Sequence, residues 1–190
     1  MPLESVSNSE TIITFMLAVV PTGEPEVWLR KQLLIRDEQP TVAANLLFSD
    51  EPQAALPKQS TVKLYRYATS DAEGTRKNLM GQPVTIEGNL YEVIRDAVAQ
   101  TVELVEAIKV VTPQGMQPAR YPEVALHEII TNAVIHRDYS VADDIHVRVF
   151  DNRIEVLSPG PFAGHVTEEN VLTTRFSRNG NIVRWINKFP

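Results

Sequence analysis

Between Pro122 and Val156 the spacing of apolar residues changes once, from helical to alternating, and that change restricts the fold more than any other stretch of the chain. Leu126, Ile130, Ala133 and Val134 fall on one broad side of a helix expected over 122–137, at about 100° per residue. Pro122 suits its first turn, where a missing N–H costs nothing. After the helix, Ile145, Val147 and Val149 alternate with His146 and Arg148. Asp151-Asn152 supplies a turn, and Ile154 and Val156 resume the alternation. This pattern predicts a β-hairpin with strands at 144–150 and 153–157. A helix with one apolar side and a hairpin with one apolar face bury both by packing together, which gives an α/β chain of the α+β kind.

Upstream, residues 9–36 read as two short helices. Ile12, Ile13, Met16 and Leu17 mark the first, stopped by Pro21-Thr22-Gly23, and Val27, Trp28, Leu33 and Leu34 mark the second. Thr41–Phe48 reads as a third small helix and Thr61–Tyr67 as a strand. Residues 68–83, with Gly74, Gly81 and Pro83, read as a loop. Asn89 and Glu92 form a capping-box start to a long helix whose buried side runs from Leu90 to Ile108. Residues 112–118 read as a connector to the next helix. There is no internal repeat and no low-complexity tract.

A hydrophobic content of 43% is enough to build a core. With no cysteine in the chain, disulfide scaffolds, thiol nucleophiles and thiolate metal sites are excluded together. No apolar run approaches the roughly 20 residues that span a bilayer. A cytoplasmic protein with no membrane partner is therefore expected. The formal charge of −6 argues against general nucleic-acid binding, which needs clustered Lys and Arg at the phosphates.

The candidate chemistry lies on the 122–137 helix. Glu128, Asn132 and His136 stand at i, i+4 and i+8, a single polar line flanked by Val124, Ala125, Ile129 and Ile135. On an arbitrary helix such residues are ordinary surface pairs or partners of a neighbouring loop. Two downstream segments change the balance. Ser158-Pro159-Gly160-Pro161 follows the second hairpin strand, and a glycine there lets backbone approach a ligand closely. Phe176-Ser177-Arg178-Asn179-Gly180 precedes an apolar stretch, Ile182–Ile186, that reads as a helix. The spacing leaves Glu128 and His136 alone as metal-ligand types on one line, too few for a transition-metal site.

The run from Ala125 to Ser140 resembles the E-x-x-x-N-A-x-x-H-R-D-Y signature of the RecG-related family of predicted transcriptional regulators. Arg153–Gly160 (Arg-Ile-Glu-Val-Leu-Ser-Pro-Gly) is similar to that family's R-I-E-I-x-N-P-G strand and turn, and Phe176–Asn179 to its S-R-N-P loop. Leu46–Phe48 and Ile86–Leu90 match its spacing, so the likeness covers roughly residues 25–190. It implies a fold like the GHKL ATPases of gyrase, heat-shock chaperones, histidine kinases and MutL. That fold is a two-layer sandwich whose antiparallel or mixed sheet is covered by helices. It further implies that 1–48 is a helical prefix, the tail of an upstream Schlafen/AlbA-type domain, and that 49–190 is the GHKL-like domain, truncated at its C-terminus.

Carried onto these residues, the resemblance implies ATP or ADP with Mg²⁺ as cofactor. Asn132 would be the Mg²⁺ ligand bridging to phosphates, and Glu128 the carboxylate that activates water where hydrolysis occurs. His136 would line the same site, Gly160 would let the chain pass under adenine, and Arg178 with Asn179 would close over phosphate. Two positions depart from the pattern. Ser158 and Pro159 stand where the superfamily reads adenine with the Asp of a D-x-G motif, and Gly180 stands where the family has proline. No glycine-rich lid follows, and no G-K-[ST] phosphate loop exists to support a helicase motor. The expectation is a degenerate nucleotide-binding domain of a DNA-associated regulator, with ATPase activity left open and DNA met through domains absent from this chain. The rival expectation is a non-catalytic module that dimerises or holds partner domains, with Glu128, Asn132 and His136 structural.

Overall fold

The computed structural model describes all residues except 1, 58–59, 163, 171–172, 174–175 and 190. The chain begins with α1 (Glu4–Ser7), α2 (Glu10–Val19), α3 (Pro25–Lys31), the short pair β1 (Ile35–Arg36) and β2 (Gln39–Pro40), α4 (Val42–Phe48) and α5 (Pro52–Ala55). It continues with β3 (Val62–Arg66), β4 (Val84–Ile86), α6 (Leu90–Glu106), β5 (Lys109–Thr112), β6 (Gly115–Pro118) and α7 (Glu123–His136). The last elements are β7 (Ile145–Val149), β8 (Ile154–Leu157) and α8 (Gly180–Ile186).

Four strands form the main sheet in the order β4-β3-β7-β8. β7 and β8 are the expected antiparallel hairpin, and β4 pairs antiparallel to β3. β3 and β7 run parallel, with Val62 opposite Ile145 and Leu64 opposite Val147, so the sheet is mixed. A parallel pair needs a long crossover, and here it contains α6, the β5–β6 pair and α7. Asp144 secures the entry to this joint, accepting from the Thr61 hydroxyl and bridging Lys63 at 2.8 Å.

The inward sheet residues Val62, Leu64, Ile145, Val147 and Val149 are all buried. Above them lies α6, opened by a capping box in which the Asn89 side chain accepts from backbone N–H groups and Glu92 reaches back to Asn89. Its buried side carries Leu90, Val93, Ile94, Ala97, Val98, Thr101 and Val105. α7 packs alongside α6 with Leu126, Ile130, Ala133 and Val134 inward, the same four residues that the helical spacing selects. The result is an α+β fold with helices over a mixed sheet.

Several local features differ from the sequence reading. Residues 112–118 are not a plain connector: β5 and β6 pair from Lys109 to Pro118, and only Pro113-Gln114 turn, with Gly115 at φ 105°. α6 stops at Glu106, short of Ile108, and the exposed, β-branched Val110 and Val111 belong to β5. Val84–Ile86 is an edge strand, too short to show a period in the sequence. The four-residue helix α1 is similarly brief.

The opening helices and the end of the chain share one aromatic cluster. Phe15 lies 5.3 Å from Trp28, 5.1 Å from Phe48 and 6.1 Å from Trp185, and Trp28 lies 4.8 Å from Trp185. Such edge and tilted contacts add to the large area that aromatic rings bury. No helix among the described residues is long and apolar enough to cross a membrane.

The inward side of α7 generates a direct test. Ile130 is fully buried, so Ile130→Ala should cost about 2–5 kcal/mol of stability in urea unfolding. Val124, at 80% exposure on the opposite side, should tolerate Val124→Ala within about 0.5 kcal/mol. Equal losses would mean that the helix is oriented differently.

Candidate functional site

Helix α7 leaves its last carbonyls without intrahelical partners, as every helix does. It has no glycine at its end, and Arg137 departs from the helix at φ −53° and ψ 144°. Side chains from elsewhere satisfy the orphan groups. The Ser158 hydroxyl donates to the Ala133 carbonyl at 2.7 Å, and the Tyr139 hydroxyl donates to the Val134 carbonyl at 3.1 Å. The Asn179 amide donates to the carbonyls of Ile135, at 2.9 Å, and Arg137, at 2.8 Å. Residues far apart in sequence therefore converge on one helix end because that end needs donors.

The residues between are tied to the same place. The Asp138 N–H donates to the Pro159 carbonyl at 2.9 Å. The Asp138 carboxylate accepts from the backbone N–H and hydroxyl of Ser140 and pairs with Arg178. Arg178 also donates to the Pro161 carbonyl at 2.7 Å. Gly160 adopts φ 106°, and a Cβ there would collide with the Cβ of Asp138 and stand 3.0 Å from the Arg178 guanidinium. The glycine is required by this close passage over Asp138. Hydrogen bonds from Ser140, reinforced by the Arg178 charge, hold the Asp138 carboxyl below the usual carboxylate range, so it stays ionised at neutral pH.

Ser158, Gly160, Arg178 and Asn179 are thus brought together at the end of α7. Glu128, Asn132 and His136 are placed along the outer face of the same helix, all three exposed. Val124 and Ile129 flank them, 80% and 44% exposed. Neither Glu128 nor Asn132 makes a side-chain hydrogen bond among the described residues, whereas Ser158, Arg178 and Asn179 all do. Ser158 is anchored to the carbonyl of Ala133, the residue that follows Asn132 in sequence and, unlike it, is buried.

Besides Tyr139, two members of the His-Arg-Asp-Tyr run have roles that spacing alone does not reveal. Arg137 is 1% exposed, donates to the carbonyls of Val141 and Asp143, and lies 5.3 Å from the Tyr139 ring centre. Burial pushes its pKa down, and nearby acidic groups oppose that shift. Asp138 is the other, as the partner of Arg178. The unusual density of polar residues directly after an apolar helix was the available signal.

Two cavities lie away from the polar line. One of about 680 Å³ opens between α2, α6 and α7, but several of its polar groups already have structural partners. Asp50 accepts from the N–H groups of Glu10 and Thr11, and Asn89 and Glu92 form the cap of α6. A second, of about 450 Å³, lies beside Asp138, Ser140, Arg178 and Asn181. Neither has Glu128 or Asn132 in its wall.

No protein-family model and no curated protein matches the chain. Among solved structures it is similar to the DIP2311 protein from Corynebacterium diphtheriae, with a TM-score of 0.66 at 22% identity. The alignment covers 100% of this chain and 37% of that one, so this chain spans well under half of its structural neighbour. At that identity the likeness shows the fold alone.

The capping role of Asn179 predicts a measurable loss. Asn179→Ala removes two hydrogen bonds to helix carbonyls and should cost about 1–3 kcal/mol in denaturant unfolding. Asn179→Asp should cost more, because a carboxylate cannot donate and would face the negative end of α7. A fully stable Asn179→Asp protein would contradict the cap.

Proposed function

We propose that this chain is a degenerate, GHKL-like nucleotide-binding domain of a DNA-associated regulator in the RecG-related family, with adenine nucleotide and Mg²⁺ as its ligands. The observation that carries the reading is the pairing of two arrangements on α7. Along its outer face stand Glu128 and Asn132, exposed and without internal hydrogen bonds among the described residues. At its C-terminal end the Ser158–Pro161 turn is anchored by the Ser158 bond to the Ala133 carbonyl.

The residues present fit the metal better than they fit the phosphates. Asn132 offers a neutral amide oxygen, which suits Mg²⁺ sharing its shell with phosphate oxygens and water. Bound there, the ion would neutralise phosphate charge. Ser158 spends its proton on Ala133 and keeps its oxygen lone pairs, so it can accept from an adenine amino group as a neutral acceptor. Glu128 carries a free carboxylate that can orient a water. Arg178 and Asn179, expected at phosphate, are bonded to Asp138, Pro161 and the helix carbonyls instead. A weak site follows from that division.

The second reading is an interaction module with a vestigial site. It draws on Val124 and Ile129, apolar side chains exposed on both sides of the polar line, as on a surface that meets a partner or a second copy. Calorimetric titration with ADP separates the two. The proposed function predicts measurable binding that strengthens with Mg²⁺, and loss of the Mg²⁺-dependent part in Asn132→Ala with unfolding stability changed by less than about 0.5 kcal/mol, as for an exposed residue. Absence of ADP binding by the folded protein, with and without Mg²⁺, would favour the interaction module.

A further inference from the structure

The end of α7 is an unusual place to receive a phosphate. A helix C-terminus carries partial negative charge, so anions there are disfavoured unless a cation compensates. Arg178 is the cation that faces the Gly160–Pro161 backbone, and two of its guanidinium nitrogens have internal partners. Nη1 pairs with the Asp138 carboxylate, and Nη2 donates to the Pro161 carbonyl at 2.7 Å. Both side chains are largely withdrawn from water, at 19% exposure for Arg178 and 26% for Asp138. Asp138 is itself fixed by Ser140, whose backbone N–H lies 3.0 Å and hydroxyl 2.6 Å from the same carboxylate oxygen. The carboxylate therefore neutralises Arg178 and occupies its Nη1, one of the donors a phosphate would seek.

Building on the nucleotide reading, the geometry points to Asp138 as the residue that sets the ligand class of this site. By holding Arg178 in an internal ion pair at the carbonyl end of α7, it leaves a site that takes the nucleoside part of an adenine nucleotide and grips no phosphate without Mg²⁺. A phosphate approaching Arg178 must displace an opposite charge that is already aligned and anchored, and it meets the helix carbonyls behind it. Ser158 keeps its acceptor lone pairs whether or not Arg178 is paired. Charge thus selects adenosine and its phosphorylated forms nearly equally, until the metal at Asn132 adds its own attraction.

The test compares adenosine and ADP, titrated calorimetrically without Mg²⁺ into the 190-residue chain and its Asp138→Asn variant. Asparagine retains an acceptor for Ser140 and removes the charge opposite Arg178. The wild-type protein should bind the two ligands within about twofold, consistent with a cation already neutralised by its partner. Asp138→Asn should bind ADP about tenfold more tightly, the scale of one charge-assisted hydrogen bond, with adenosine unchanged. That gain should shrink as salt is raised and vanish in the Asp138→Asn/Arg178→Ala double variant. If Asp138→Asn does not fold by circular dichroism, Asp138→Ser, which keeps an oxygen for Ser140, takes its place.

A wild-type preference for ADP of about tenfold that is lost in Arg178→Ala would overturn the inference, since Arg178 would then reach phosphate past Asp138. A folded Asp138→Asn protein with no gain for ADP over adenosine would overturn it as well. A pyrophosphate arm keeps this result separate from the nucleotide reading. If neither adenosine nor ADP binds any variant, that reading fails by itself. Pyrophosphate should still raise the melting temperature of Asp138→Asn and not of the wild type. No shift in either protein would overturn the inference too.

Discussion

Because α7 ends without a glycine, its terminal carbonyls must be satisfied by donors from outside the helix, and most of the geometry around the site follows from that demand. Ser158, Tyr139 and Asn179 meet it, each from a different segment. The cost of leaving buried carbonyls unpaired makes these bonds matter more than their individual strength suggests. They fix the turn after β8 and the start of α8 against one point, which in turn sets Gly160 over Asp138 and Asp138 beside Arg178. On the other side of the same helix, Leu126, Ile130 and Val134 hold α7 to α6 and so to the sheet. One helix therefore couples the core to the site.

This arrangement gives several of the chain's most distinctive polar residues a structural task. Asn179 caps, Arg178 neutralises Asp138, and Arg137 holds the loop before β7. What remains unspent is the outer line of Glu128, Asn132 and His136 together with the acceptor capacity of Ser158. Those groups keep oxygens able to accept, while Arg178 is paired with Asp138. The degenerate character proposed for the site draws on these bonds as well as on Ser158 standing where the superfamily has an aspartate.

The inward faces were legible because burial imposes a period. Leu126, Ile130, Ala133 and Val134 on α7, the alternation through β7 and β8, and the Asn89–Glu92 cap were all visible in sequence. The β5–β6 pair was not, since its strands are exposed and nothing forces alternation on them. The three-residue β4 is too short to carry a pattern. The parallel pairing of β3 with β7 depends on contacts across about 80 residues, which local spacing does not encode. Residue types singled out the segments that meet at the end of α7, but their bonding partners could not be read. The assignment of Asn179 to carbonyls of α7, and of Asp138 to Arg178, is settled by tertiary geometry alone.

The account stands on the claim that the outer line of α7 and the turn beside it form one ligand surface. Amide chemical-shift mapping during titration with Mg²⁺ and ADP reads that surface residue by residue. The account predicts perturbations concentrated at 128–136 and 158–161, with the cavity lined by Glu10, Tyr91 and Glu123 unaffected. Perturbations gathered in that cavity, or none at saturating ligand, would contradict it.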